Sequence, residues 1–140
     1  MKKVVSLVTI FVLCLTALAG CSGSKEVDLK TVLSDINSKY SLDLKELTDS
    51  NDLKKYYSID TEDVKQFAAE INSDSNSRVE IVLVEAVDAD AASRVNDALS
   101  KTYTSIVTQY SGYNAKKLPM VEACKVTQDG NYVTMIVADQ

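Results

Sequence analysis

The stretch that decides the fold is residues 79–110 of the 140, VEIVLVEAVDADAASRVNDALSKTYTSIVTQY. Its first part, Val79 to Val87, is centred on consecutive apolar residues, which is typical of a strand buried on both faces of a sheet. Its second part repeats apolar residues every three or four positions up to Tyr110, which predicts an amphipathic helix. Asp88 and Asp90 stand where negative charge favours a helix start. At 1.5 Å per residue this helix would be roughly 30 Å long, enough to cross a sheet.

A hairpin is predicted after the long helix. Gly112 lies just past the periodic residues, where a left-handed cap would use it, and Pro119 breaks the chain. Residues 121–127 are predicted to form a strand, and the Asp-Gly pair at 129–130 is a hairpin signal that joins it to a strand over 131–138. On that last strand one face holds Val133, Met135 and Val137, and the other holds Tyr132, Thr134 and Ile136.

Two helices and an ambiguous segment are expected before the central strand. Asp28 can cap a helix whose apolar face consists of Leu29, Val32, Leu33, Ile36 and Tyr40. A connecting stretch over 42–47 leads to a short helix that Ser50 or Asn51 can cap. Residues 61–72 fit helical and strand spacing equally, so periodicity leaves them open.

Together these elements predict one α+β domain over residues 28–140. It would be a mostly antiparallel sheet of three to four strands, covered by one long helix and preceded by amino-terminal helices. Apolar residues make up 46% of the chain and charged residues 25%, which is a globular composition. Because the chain has no histidine, Ser-His-Asp and Cys-His nucleophile pairs and His-ligated zinc or haem are excluded. We expect no cofactor and no metal.

The amino terminus has the features of an export signal. Lys2 and Lys3 precede a run without charge from Val4 to Gly20, and such an arrangement is typical of signal peptides. The run ends in Leu18-Ala19-Gly20-Cys21, which resembles the lipobox of bacterial lipoproteins. That resemblance implies a signal peptide over 1–20 that signal peptidase II recognises through residues 18–20. It also implies a diacylglyceryl group on the sulfur of Cys21, followed by a polar tether to residue 27.

Two other interpretations of the amino terminus remain open. Residues Val4 to Ser24 are uncharged and long enough to span a bilayer as an uncleaved anchor, although Ala17 to Ser24 are small and polar. An ordinary secretory signal with Cys21 merely nearby is the other interpretation. If the lipobox is used, two acyl chains give stable anchoring at the extracytoplasmic face of the cell membrane.

Cleavage would make the mature chain strongly acidic. Losing Lys2 and Lys3 lowers the basic residues from 15 to 13 against 20 acidic ones, a net charge of −7. Such a domain is a poor candidate for binding nucleic acid or anionic lipid headgroups. We therefore expect its contact with the membrane to come from the lipid on Cys21.

Two short strings resemble a known family. YSIDTEDV at 57–64 and GNYV at 130–133 lie in the expected order around the long helix. They are similar to small lipoproteins of low-GC Gram-positive bacteria, whose globular part is the domain of unknown function numbered 4358. The resemblance implies a fold and a location, and it implies a strand over residues 65–72. It carries over no functional residue except the lipidated cysteine.

Few side chains stand out as candidates for chemistry. Asp60, Glu62 and Asp63 form an acidic cluster of the kind from which glycosidases draw two carboxyl groups, but they fit the start of an element or a solvated turn more simply. Cys124 lies within a predicted strand and has no histidine to activate it, so a structural role is expected. Tyr132 and Ile136 would form an exposed contact surface if no helix covers their face of the sheet.

The leading hypothesis is therefore a non-enzymatic binding or protein-interaction module at the cell envelope. Its partner would be an unidentified envelope protein or small ligand. The alternatives are a cell-envelope hydrolase that uses carboxylates alone and an accessory subunit of a transporter.

Overall fold

A five-stranded antiparallel sheet forms the middle layer of the computed structural model, which describes residues 26–72 and 78–138. The strands are β1 (Lys45–Leu47), β2 (Val64–Ile71), β3 (Glu80–Ala86), β4 (Lys125–Asp129) and β5 (Tyr132–Val137). Their order across the sheet is β1-β2-β3-β5-β4, with every neighbouring pair antiparallel. The predicted α+β class is confirmed. The sheet has one or two more strands than predicted, because β1 lies in the stretch expected to be a connection.

Helices lie on both sides of this sheet. They are α1 (Leu29–Tyr40), α2 (Ser50–Tyr57), α3 (Ala89–Tyr113) and α4 (Leu118–Ala123), and a single 3₁₀ turn spans Thr61–Asp63. No helix in the described part of the chain is long and apolar enough to cross a membrane. The predicted signal peptide with Leu18, Ala19 and Gly20, the lipid site Cys21 and the tether up to residue 25 lie outside the described residues.

The central strand is β3, and it separates two apolar cores. All seven of its residues are buried, as its run of apolar residues predicted. Val82 and Val84 face the larger core, which lies against α3. Ile81 and Leu83 face the smaller core, where Leu29 and Leu33 of α1 pack on Ala68 of β2. The sheet is therefore the middle of three layers.

The long helix begins where its sequence predicted and ends later. Asp88 Oδ1 accepts a hydrogen bond from the Ala91 N–H at 2.7 Å, which satisfies a free donor of the first turn. The prediction that Gly112 forms a left-handed cap is wrong. The helix runs through Gly112, and the C-cap is Asn114, with φ −149° and its N–H bonded to the Tyr110 carbonyl. Gly112 lies on the exposed side of the last helical turn.

The segment before β4 differs from the predicted strand over 121–127. Residues 118–123 form α4, with Pro119 in its first turn, where proline is tolerated because the N–H that it lacks would be free in any case. Val121 is fully buried under this turn. The strand starts only at Lys125, so Cys124 caps a helix instead of lying within a strand.

The remaining sequence expectations for local structure are mostly confirmed. Asp28 caps α1, and residues 64–71 form β2, as the family resemblance implied. The short helix α2 is capped by Asp49, one residue before the predicted Ser50 or Asn51. The hairpin closes through a two-residue turn in which Gly130 has φ +56°, a conformation that favours glycine.

Candidate binding groove

An open concavity lies beside the carboxyl-terminal half of α1, over the outer half of the sheet. Helix α1 packs mainly against β2 and β3, so on that face β4 and most of β5 are left open. The resulting groove has a volume of about 720 Å³. Its wall is formed by Ile36, Tyr40 and Leu42, and its floor by side chains of β5 and β4. We call this concavity the groove.

Strand alternation explains how β5 supplies the floor. Val133, Met135 and Val137 are fully buried on the α3 side, so Thr134 and Ile136 point to the opposite face and line the groove. Ile136 is 39% exposed, which is unusual for an isoleucine in a strand interior.

The two residues predicted as a contact surface lie in different surroundings. Ile136 lies in the groove, whereas Tyr132 is half-buried against the small core under α1. The helix therefore covers one end of this face and leaves the other end open. The surface expected from Tyr132 and Ile136 together is instead a groove around Ile136 alone.

The polar groups that line the groove are mostly satisfied within the protein. The hydroxyl groups of Thr127 and Thr134 share a hydrogen bond of 2.6 Å across the β4–β5 hairpin. The Cys124 thiol donates to the Met120 carbonyl, with the sulfur 3.3 Å from the oxygen. Lys125 contributes the one formal charge of the lining and forms no ion pair with another described residue. The groove is therefore mostly apolar with a cation at its margin.

Tyr40 is the aromatic part of the wall. It ends α1 and is 62% exposed, and the Lys39 ammonium lies 5.4 Å from its ring centroid. Among the other helical tyrosines, Tyr110 is buried and Tyr103 is half-buried, while Tyr56 is exposed.

The three carboxylates of the acidic cluster lie in different surroundings. Asp60 forms an ion pair of 2.9 Å with the exposed Lys54, and Glu62 is exposed. Asp63 is buried, and the Arg94 guanidinium donates to both of its carboxylate oxygens. These hydrogen bonds hold the pKa of Asp63 below its usual range, the reverse of what a general acid needs. Within residues 26–72 and 78–138, no three metal-ligating side chains are gathered in one place.

Gln66 at the start of β2 is a structural residue that sequence reasoning missed. Its Oε1 accepts from the Leu29 N–H at 3.2 Å, and its Nε2 donates to the Val27 carbonyl at 2.7 Å. Its Nε2 also donates to Glu85, whose pKa is lowered chiefly by a hydrogen bond from Lys65 and next by Gln66. We call these contacts of Gln66 with Val27 and Leu29 the Gln66 clamp, since it fixes the chain on both sides of Asp28.

The Gln66 clamp and the groove lie at opposite ends of the sheet. Gln66 pairs with Glu85, and Glu85 pairs with Tyr132. The groove surrounds Ile136, four residues further along β5, which corresponds to roughly 13 Å.

Sequence reasoning also missed Glu80, a buried acid at the start of β3. Glu80 accepts hydrogen bonds from Arg78 and from the hydroxyl of Tyr57, which lies 3.2 Å from its Oε2. Burial, together with the nearby Glu80 carboxylate, raises the pKa of Tyr57 strongly. Glu80 and Glu85 lie on either side of the apolar residues of β3. Because a buried charge needs a hydrogen-bonding partner, their position was the signal in the sequence that such partners exist.

Comparison with known proteins identifies a family but no individual relative. No curated protein and no solved structure is significantly similar to the chain. The profile of one family matches residues 37–138, a range that runs from the second half of α1 to the end of β5 and includes most of the groove. The chain therefore belongs to the family described as Domain of unknown function (DUF4358).

Proposed function

We propose that this protein is a lipid-anchored lipoprotein of the cell envelope whose domain is a non-enzymatic interaction module. In this proposal the groove receives an apolar segment of another envelope protein. The observation that carries it is the open, mostly apolar half-face of the sheet around Ile136. A continuous apolar concavity on a small domain is a common feature of protein-interaction sites.

The lining of the groove suits an apolar segment better than a strongly polar ligand. Ile36, Leu42 and Ile136 offer aliphatic surface, and each aliphatic side chain of a partner that is buried there contributes about 1.5–3 kcal/mol. The two hydroxyl groups on the floor share one hydrogen bond, which uses one of their two hydroxyl hydrogens.

The proposed lipid on Cys21 would attach the domain at the end of the sheet that lies far from the groove. Four residues lie between Cys21 and Glu26, so the five Cα–Cα steps from one to the other span at most about 18 Å. The described chain begins beside the Gln66 clamp, where Lys65 Nζ lies 3.4 Å from Glu26, and the groove lies toward the opposite end of the sheet. In each domain the groove would therefore lie at the end of the sheet that is farther from the attachment point of the anchor.

The groove is tested by chemical crosslinking of the full-length protein in its own membranes, followed by quantification of the co-purified proteins. We expect Ile136→Lys to abolish capture of a stoichiometric partner, because a charged side chain would occupy the apolar floor. Val87→Lys is the matched control, since Val87 is an exposed aliphatic residue that does not line the groove. Equal capture by the two variants would contradict a role for the groove. If the partner is a transporter, the module is an accessory subunit.

The anchor is tested separately with Cys21→Ala. We expect this variant to lose its tight association with the membrane, because it has no sulfur to carry the two acyl chains. Fractionation of cells after an alkaline wash measures the membrane-bound share. If Cys21→Ala stays in the membrane as firmly as the unmodified sequence, the lipid anchor is wrong and the uncleaved segment over 4–24 takes its place.

A further inference from the structure

The outer edge of β4 is the longer free edge of the sheet. The sheet ends at β1, with three residues, and at β4, with five. Four of the five β4 residues are exposed, and Val126 is half-buried. Besides β5, only α3 packs extensively against β4 among the described elements. An exposed edge strand presents backbone groups that can pair with another strand.

The hydrogen-bond pattern determines which groups point outward. The Asn131 carbonyl accepts from the Ala86 N–H of β3 at 2.8 Å. Along a strand, the backbone N–H and C=O groups of successive residues point alternately to one neighbouring strand and to the other. Since those of Asn131 point to β3, those of Tyr132 point to β4 and pair with Asp129. The backbone groups of Lys125 and Thr127 likewise point to β5. Those of Val126 and Gln128 therefore face away from the sheet.

The charges on this edge are self-complementary. If two copies of β4 pair antiparallel about a two-fold axis at Thr127, then Lys125 of each copy lies opposite Asp129 of the other. Neither side chain forms an ion pair with another described residue. The same register places Val126 of each copy opposite Gln128 of the other. The outward-facing backbone groups of these two residues then form hydrogen bonds between the copies. An axis at Val126 or at Gln128 would place both charges opposite uncharged residues.

We propose that two copies of this chain associate through their β4 edges, with Thr127 on the two-fold axis and reciprocal Lys125–Asp129 ion pairs. The two sheets then form one ten-stranded sheet. Lys125, Thr127 and Asp129 lie on the groove side of β4, because their partners on β5 are Ile136, Thr134 and Tyr132. The second copy therefore extends the floor of the groove and adds its Asp129 to the margin beside Lys125. This association does not depend on what the groove binds.

The test is disulfide trapping of the full-length chain in membranes, with Cys124→Ser as the parent to remove the thiol beside β4. On the two-fold axis the Cα atoms of Thr127 in the two copies are about 4.5 Å apart, within reach of a disulfide. We therefore expect Thr127→Cys to give a reducible dimer on oxidation. Gln128→Cys is the matched control. In this register the Cα atoms of residue 128 in the two copies are about 8 Å apart, which is too far for a disulfide. The parent reports any crosslinking through the amino-terminal cysteines.

Charge reversal tests the register in the Thr127→Cys chain. Lys125→Asp places acids opposite each other at two positions, and we expect the dimer yield to fall about fivefold. Adding Asp129→Lys restores opposite charges, and we expect the yield to recover. Dimer formation by Thr127→Cys no greater than by Gln128→Cys would overturn the proposal. So would a yield that the double reversal fails to restore, provided that the amount of protein in the membrane is unchanged.

Discussion

Glu80 shows how one side chain at the edge of an apolar strand becomes part of the core. It is 6% exposed, and it is stabilised by Arg78 beside it and by Tyr57 from helix α2. A buried carboxylate without such donors would carry a large desolvation cost. The contact therefore connects α2 to the central strand through a specific hydrogen bond in addition to apolar packing.

Removal of the Tyr57 hydroxyl measures this contact. We expect Tyr57→Phe to lower the free energy of unfolding by about 1–3 kcal/mol, because one oxygen of the buried Glu80 loses its donor. Tyr56→Phe is the neighbouring control. Tyr56 is 41% exposed, and its change should stay within about 0.5 kcal/mol. Urea denaturation of the two variants gives both values, and similar losses for both would show that the hydrogen bond contributes nothing specific.

Local residue roles were predictable from the sequence, whereas distant ones were not. Asp28 and Asp88 cap helices that begin immediately after them, so the short-range pattern was sufficient. Tyr57, which donates to Glu80, and Lys65, which donates to Glu85, lie 23 and 20 residues away from these acids. Nothing in a short window of sequence specifies such a pairing.

At the scale of the elements, the β4–β5 hairpin and the end of α3 each contain a glycine with a different role. Gly130 has φ +56°, a left-handed conformation that strains residues with a Cβ. Gly112 lies in the last turn of α3 with ordinary helical geometry. An added Cβ meets no atom within 4 Å at either position, so backbone conformation alone distinguishes them.

Substitution of these two glycines should therefore have opposite effects. We expect Gly130→Ala to lower the free energy of unfolding by about 1–2 kcal/mol through left-handed strain. Gly112→Ala should raise it by up to about 1 kcal/mol, since alanine favours the helix. Thermal or urea denaturation of the two variants makes the comparison. If Gly112→Ala destabilises the protein as much as Gly130→Ala, then steric contacts must contribute at one of the two sites.

The elements that the sequence missed are short and depend on their neighbours. Strand β1 has three residues, of which only Leu47 is buried, and it exists because the edge of β2 offers it backbone partners. Helix α4 was hidden because Pro119 was interpreted as a break, although proline also suits a first helical turn. The consequence reached the candidate site, because Ala123 and Cys124 at the end of α4 also line the groove.

At the scale of the whole molecule, the groove arises from unequal cover on the two faces of the sheet. The larger core receives α2, α3 and α4, while the opposite face receives α1 alone. A helix is about 10 Å wide and strands are about 4.8 Å apart, so one helix covers only part of five strands. The sequence established that Thr134 and Ile136 share a face, but it could not show that α1 would lie over β2 and β3 instead.

The Gln66 clamp determines how the domain would respond to mechanical force. The chain enters the described structure next to Val27, and Gln66 holds the backbone there before helix α1 has begun. A pull from the amino-terminal side therefore reaches β2 directly, through hydrogen bonds to the Gln66 side chain and through the ion pair of Lys65 with Glu26. Because β2 is bonded to a strand on each side, tension is distributed across the sheet. We therefore expect helix α1 to stay packed on the sheet while the amino-terminal chain is under tension. The wall of the groove, which α1 forms, would then keep its position.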